Sequence, residues 1–254
     1  MEIPIVEKLY YSPVKSLSFT NTMNFIVKRN IGIKNDRIFA FTRLIEKDES
    51  VIYERYPEKR DLNFFLTLRN SSFLNKYNFE FKHNELSLFL NKKLINKVVL
   101  DNKENLKIFS NELMSREKLI TEIPYLIHNE DYPFFDTMPN NSISLININS
   151  IKDFEKKINR KIEFERFRAN IYIKGIDPWI EFSWINKKIL VDDCLFKVVK
   201  KIPRCSATNL IPNSDISDMN LPRQLRECYG YSDMGVYLLP LNNGEIKTGG
   251  IVKL

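Results

Sequence analysis

Short β-favouring runs recur along the whole chain, with turn residues between them. Glu7–Tyr11, Asn24–Val27 and Ile38–Thr42 open the series, and Ser87–Leu90 and Lys97–Leu100 continue it. Ile189–Val191, Leu195–Ile202 and Val236–Leu241 come late, and Asn242-Asn243-Gly244 reads as a hairpin-type turn into a last strand. Helical patterning is confined to a few places. Ser110 or Asn111 can cap a short helix through Leu119, with Pro124 beyond its end. After a strand at Ser142–Ile148, Ser150 with Asp153 three residues on marks a second helix, with Ile151, Phe154 and Ile158 on one face. A third is expected near Pro222–Cys228. The pattern predicts an α+β fold, predominantly β, of barrel-like architecture with a few helices.

Composition acts mainly by exclusion. A chain of 254 residues suits one large domain or two closely joined ones, and 43% hydrophobic with 12% aromatic residues can fill a core. The net charge of +7 comes from scattered Lys and Arg with only short pairs such as Lys200-Lys201, so no nucleic-acid arm is expected. Three cysteines cannot form a disulfide framework, and their odd number fits a reducing compartment. With two histidines and no CxxC pair, zinc and iron–sulfur sites are not expected. Seven glycines include no phosphate-binding loop. The residues from Met1 to Lys8 lack a signal-peptide pattern, and no long uninterrupted apolar window occurs, so a cytoplasmic protein away from membranes is expected.

Several segments carry residues with chemistry. If Ile162–Ile173 is extended, Arg166, Arg168 and Asn170 alternate onto one face, opposite Phe167, Ala169 and Ile171. Two guanidiniums and an amide in a row suit oxyanions, although an exposed polar strand face has the same pattern. Arg204-Cys205-Ser206 follows an apolar strand ending at Ile202, where Pro203 should stop pairing. A thiol beside Arg204, Lys200 and Lys201 can be held as thiolate, a soft ligand and nucleophile, whereas an isolated cysteine is more often a small buried side chain. Lys15 and Ser16 follow a strand and a proline turn, and Asp36-Arg37 opens another strand. Each supplies phosphate-binding groups.

The order of these segments resembles the MOSC superfamily, named for the C-terminal domain of molybdenum-cofactor sulfurase. It is most similar to the amidoxime-reducing members and their bacterial relatives, which have an attached N-terminal β-barrel domain. The residues concerned are Tyr11-Ser-Pro-Val-Lys-Ser16, Asp36-Arg37, Phe167-Arg-Ala-Asn-Ile171, Glu181-Phe-Ser-Trp184, Arg204-Cys205, Gly235-Val-Tyr237 and Asn243-Gly244. Two departures stand out: Ala169 occupies a usual proline position, and Thr208-Asn-Leu-Ile-Pro-Asn-Ser-Asp215 lacks the family's Asp-Pro and Thr-Gly.

The resemblance implies an N-terminal β-barrel-like domain at 1–108 packed on a MOSC-type β-barrel domain at 109–254. It implies that Cys205 ligates molybdenum of a pterin cofactor (molybdopterin), or carries sulfur in members that bind none. Lys15, Ser16 and Arg37 match positions holding phosphate and pterin. Arg168 and Asn170 match the polar strand beside the cofactor, Asn147 a position approaching it, Arg204 the Arg-Cys pair and Tyr237 an aromatic near the metal. The implied function is a molybdenum-cofactor oxidoreductase acting on N-hydroxylated or N-oxide-type small molecules, supplied with electrons by a separate donor protein. The alternatives are a sulfur carrier partnered by a cysteine desulfurase and a non-catalytic barrel binding anions or nucleic acid.

Overall fold

The computed structural model describes residues 3–17, 19–118, 120, 122–135 and 141–254, and these form mostly sheet with four α-helices. The first strands are β1 (Ile5–Tyr11), β2 (Thr20–Thr22), β3 (Asn24–Lys28), β4 (Gly32–Ile33) and β5 (Phe39–Phe41). Helix α1 (Lys47–Arg55) and several 3-10 turns lead to the meander β6 (Tyr77–Lys82), β7 (Glu85–Leu90) and β8 (Lys93–Val99). Then come α2 (Lys107–Arg116), β9 (Leu126–His128), β10 (Ile143–Asn147), α3 (Ile148–Ile158) and β11 (Ile171–Lys174). The last elements are β12 (Lys188–Val191), β13 (Cys194–Pro203), α4 (Leu221–Tyr229), β14 (Asp233–Pro240), β15 (Gly244–Lys247) and β16 (Val252–Lys253).

Eight strands form the main sheet in the order β16-β12-β13-β14-β10-β11-β1-β2. Only β10 and β11 are parallel, because α3 returns the chain between them. Alternate residues of these strands, Leu9, Leu145, Ile171, Phe196 and Val236 among them, fill one interior together with Trp184 from the 3-10 turn Ile180–Trp184. The sheet curls. Val6 donates to Gly250 O at 2.8 Å and Val252 to Pro4 O at 2.8 Å, around an isolated bridge between Ile5 and Ile251. That bridge draws the two margins together without a continuous ladder, so the described strands form no closed barrel, in contrast to the barrels expected.

The strands do not sort by halves of the chain. β1 pairs with β11, and β3 with β15, whereas β5–β9 and α2 build a second lobe around Phe39, Phe79, Phe109 and Leu113, and α1 packs beside it through Tyr53 against Phe65. Gly235 allows β14 to approach β10. Its φ is +78°, and a Cβ there would lie 2.4 Å from Leu145 O.

Three expectations are corrected locally. The segment expected as one strand at Ile162–Ile173 instead holds a 3-10 turn, Phe164–Phe167, and Arg168 in the left-handed region, so β11 starts only at Ile171. Helix α3 is capped by Asn147, whose side chain accepts from Asn149 N, while Ser150 sits inside the helix and donates to Glu181. Helix α2 begins at Lys107, after a 3-10 turn capped by Asn102, rather than near Ser110; Leu119, its expected end, lies outside the described residues.

Candidate functional site

Four chain passages converge on one cleft of about 560 Å³. The first is the turn after β1. Lys15 N donates to Phe39 O and Arg37 N to Ser12 O, so residues 12–16 are stitched to the chain entering β5. The second is Arg37 itself. The third is Arg168, immediately before β11, and the fourth is the end of β13, where Arg204 and Cys205 meet Tyr237 of β14.

Ser16, Arg37 and Arg168 all have positive φ, at 64°, 55° and 52°. A non-glycine residue in that region is disfavoured by about 1–2 kcal/mol, so the surrounding hydrogen bonds must hold it. All three side chains line the cleft.

The cations are packed rather than solvated. Lys15 is 3% exposed and its Nζ donates to Phe134 O at 3.2 Å. Burial, with Arg37 and Arg60 nearby, draws its pKa down to about 7. Arg37 pairs with the buried Asp36 and lies against the rings of Phe19 and Phe135. Arg168 donates to Leu17 O at 2.6 Å and covers Phe19; burial and Arg37 lower its pKa to about 9, leaving it charged at neutral pH. Arg43 and Arg69 complete the cationic wall together with Arg204, and no Asp or Glu lines the cleft among the described residues. The electrostatic bias is therefore uniform and favours an anion.

Cys205 is exposed at the mouth. Its carbonyl accepts from Thr208 N at 3.1 Å and Thr208 Oγ1 at 2.9 Å, which fixes the following 3-10 turn, Ser206–Asn209. No group of three or more His, Cys, Asp or Glu side chains capable of holding a metal occurs among the described residues. A metal here would need ligands from a bound group in addition to the thiol.

Of the residues expected at the site, Lys15, Ser16, Arg37, Arg168, Arg204, Cys205 and Tyr237 all line the cleft. Arg204 spends its guanidinium on backbone, donating to Phe167 O at 2.8 Å and to Met234 O. It braces the cysteine loop. Asn170 is 1% exposed and lines a small adjoining cavity, where it bonds Ser144, Tyr10 O and Asp36. Asn147 does not join them. It is fully buried, caps α3 and donates to Asp177 O at 2.8 Å. Arg166 does not share a face with Arg168. It holds Glu163, Asp218 and Asn209 O, behind the cysteine loop.

The residues missed are Arg43 and the stretch 62–70, which contributes Asn63, Thr67 and Arg69 to the opposite wall. That stretch has no strand or helix period, so only its polar side chains next to Phe64-Phe65-Leu66 could have drawn attention.

The MOSC domain model matches residues 133–253. Mitochondrial amidoxime reducing component 2 of Rattus norvegicus is 30% identical over 120 residues, 47% of this chain and 34% of its own length. Mitochondrial amidoxime-reducing component 1 of Homo sapiens is 31% identical over 117 residues, 41% of this chain and 34% of its own. Molybdenum cofactor sulfurase of Caenorhabditis elegans is 30% identical over 102 residues, 39% of this chain and 14% of its own. The matched segments thus span about a third or less of those relatives. Among solved structures, the YUAD protein from Bacillus subtilis superimposes over 99% of this chain and 97% of that chain, with a TM-score of 0.46 and 12% identity. The cysteine loop, Arg168 and Tyr237 all fall inside residues 133–253, the stretch in which the MOSC domain is found.

Proposed function

We propose that this chain binds a molybdenum–pterin cofactor in the cleft and reduces N-hydroxylated or N-oxide-type small molecules, with Cys205 as the protein ligand of the metal. The observation carrying this reading is a cleft of about 560 Å³ that combines an exposed thiol with six cationic side chains and no acidic one among the described residues. That donor set fits a phosphorylated pterin: a thiolate suits molybdenum, and the cations suit the phosphate.

Lys15, Ser16, Arg37 and Arg168 would hold the phosphate and pterin, and Tyr237 would form the wall beside the metal. Asn170 and Arg204 would keep these residues in position through backbone and carboxylate contacts. When bound, the cofactor would supply two-electron redox chemistry. The chain's own part would be to neutralise the phosphate, orient the pterin and present Cys205 at the mouth, where a substrate and a separate electron-donor protein can reach. Residues 1–108 would act as the associated N-terminal unit of this site, and 109–254 as its MOSC unit.

The test is metal and pterin content in protein purified from a cofactor-competent host, together with amidoxime reduction driven by a reduced dye. Near-stoichiometric molybdenum and pterin, with reduction lost in Cys205→Ala, is the expected result. Metal-free and pterin-free protein would remove the reading.

A second reading is favoured by the exposure of Cys205 and by the match to a molybdenum cofactor sulfurase. Cys205 would then carry a persulfide received from a cysteine desulfurase. A cyanide-labile sulfur on Cys205, in protein without stoichiometric pterin, would select it.

A further inference from the structure

Arg43 and Arg69 are left over once the cofactor has been placed. Lys15, Arg37 and Arg168 already face its phosphate, and Arg204 is committed to backbone carbonyls. Arg43 donates only a long 3.5 Å bond to Asn63 O, and among the described residues neither Arg43 nor Arg69 is held in an ion pair. Both nevertheless face the cleft that holds Cys205.

The backbone of their wall is tied down. Arg43 N donates to Phe64 O and Leu66 N to Phe41 O, each at 2.9 Å, so the loop is laid along β5. Asn70 closes it from within: its Oδ1 accepts from Thr67 N at 2.8 Å and its Nδ2 donates to Phe65 O at 2.9 Å. Phe65 and Leu66 anchor it in the core, at 1% and 5% exposure. The backbone on which Arg43 and Arg69 stand is thus held in place, so both guanidiniums start from fixed points on the same wall of the cleft and are free to donate to an oxyanion.

We propose that Arg43 and Arg69 form a second anion subsite, which selects substrates carrying a carboxylate or phosphate in addition to the group to be reduced. The proposal rests on the reductase reading for the identity of the substrate. The anion subsite itself is a binding property that needs no turnover.

The probes are benzamidoxime and its para-carboxylate, which differ by one carboxylate group. Calorimetric titration of the purified full chain should give about tenfold tighter binding of the carboxylate, a gain expected for charge-assisted hydrogen bonds at a partly desolvated site. The preference should shrink with added salt and disappear in Arg43→Ala/Arg69→Ala. Arg69 is exposed, so Arg69→Gln serves if the double variant does not fold, with a partial loss of about threefold expected. Equal affinities for the two probes, or a preference that survives both variants, would overturn the subsite. Release of a nucleotide-extended pterin from the protein would put a second cofactor phosphate there and overturn the assignment to substrate. Absence of molybdenum and reduction, with the carboxylate preference intact, would remove the reductase reading and leave the subsite standing.

Discussion

Asn170 and Asp36 are 134 residues apart in sequence and 3.3 Å apart in the fold, the amide donating to the carboxylate. Asp36 also accepts from Ser12 N at 2.9 Å and pairs with Arg37, while Asn170 Oδ1 accepts from Ser144. One buried pair thus joins the turn after β1, the approach to β5 and the neighbouring strands β10 and β11. Asn170→Ala leaves a buried carboxylate short of a donor and a buried serine short of an acceptor. It should cost about 2–3 kcal/mol in urea unfolding. A loss within experimental error would show that the network is not cooperative.

Lys15 gives the cleft a pH dependence near neutrality. Its pKa falls from the ordinary 10.5 to about 7, so in the folded protein its charge is lost as pH rises through about 7. In the unfolded chain it stays charged to about 10.5, and this group therefore adds stability as pH climbs between those values. Oxyanion binding has the opposite trend. Inorganic phosphate should bind several-fold more weakly at about pH 8.5 than at about pH 6, beyond the change due to phosphate's own ionisation. Lys15→Met should remove that excess; titrations that leave it in place would assign the dependence to another group.

Cys205 is exposed and its side chain makes no hydrogen bond among the described residues, the local turn being held by its carbonyl. Cys205→Ala should change unfolding free energy by less than about 0.5 kcal/mol. A coincident melting curve together with lost reduction would place the defect in chemistry rather than folding. A large fall in melting temperature would contradict this account of the loop.

Arg204 tests the brace behind the cysteine. Its planar fork donates to Met234 O and Phe167 O at once, which a lysine cannot reproduce. Arg204→Lys should lose about 1–3 kcal/mol in unfolding experiments. It should also speed alkylation of Cys205 by iodoacetamide, as the strand end loosens. Unchanged stability and unchanged alkylation would make the brace redundant.

Asn75 tests the tie between the second lobe and the segment after the cysteine turn. Its Nδ2 donates to Ile211 O at 2.8 Å and Ser214 O at 2.7 Å. Asn75→Ala should make residues 209–218 several-fold more sensitive to limited proteolysis, because local opening then costs less. Cleavage confined to other loops would refute the tie.

What the sequence discloses follows the periodicity of each segment. Strands with clear alternation or an apolar run are found closely, β13 within one residue at each end and β14 within three, and α4 with its Pro222 near the start within one. The failures occur where a left-handed residue or a cap decides the path. Nothing in Phe167-Arg-Ala-Asn announces that Arg168 will adopt positive φ, yet that single torsion breaks the expected strand face and sends Arg166 and Arg168 to different partners. Asn147 has the composition of a ligand-binding amide and is spent on a helix cap. Arg43 and Arg69 escape because their wall is built from tertiary bonds to β5, which no local pattern encodes. The cysteine, Lys15 and Arg37 were legible only as an ordered set.

The stitching of residues 4–6 to residues 249–252 has a temporal consequence. During synthesis β1 can pair with β2 almost at once, but it finds β11 only after some 160 further residues and residues 249–252 only after some 240. Lys15 and Ser16 are therefore made long before the scaffold that aims them, and the cleft assembles as one of the last events of folding. Contacts so distant in sequence favour slow maturation. Any cofactor would meet a competent site only once the residues up to Tyr237 have been made.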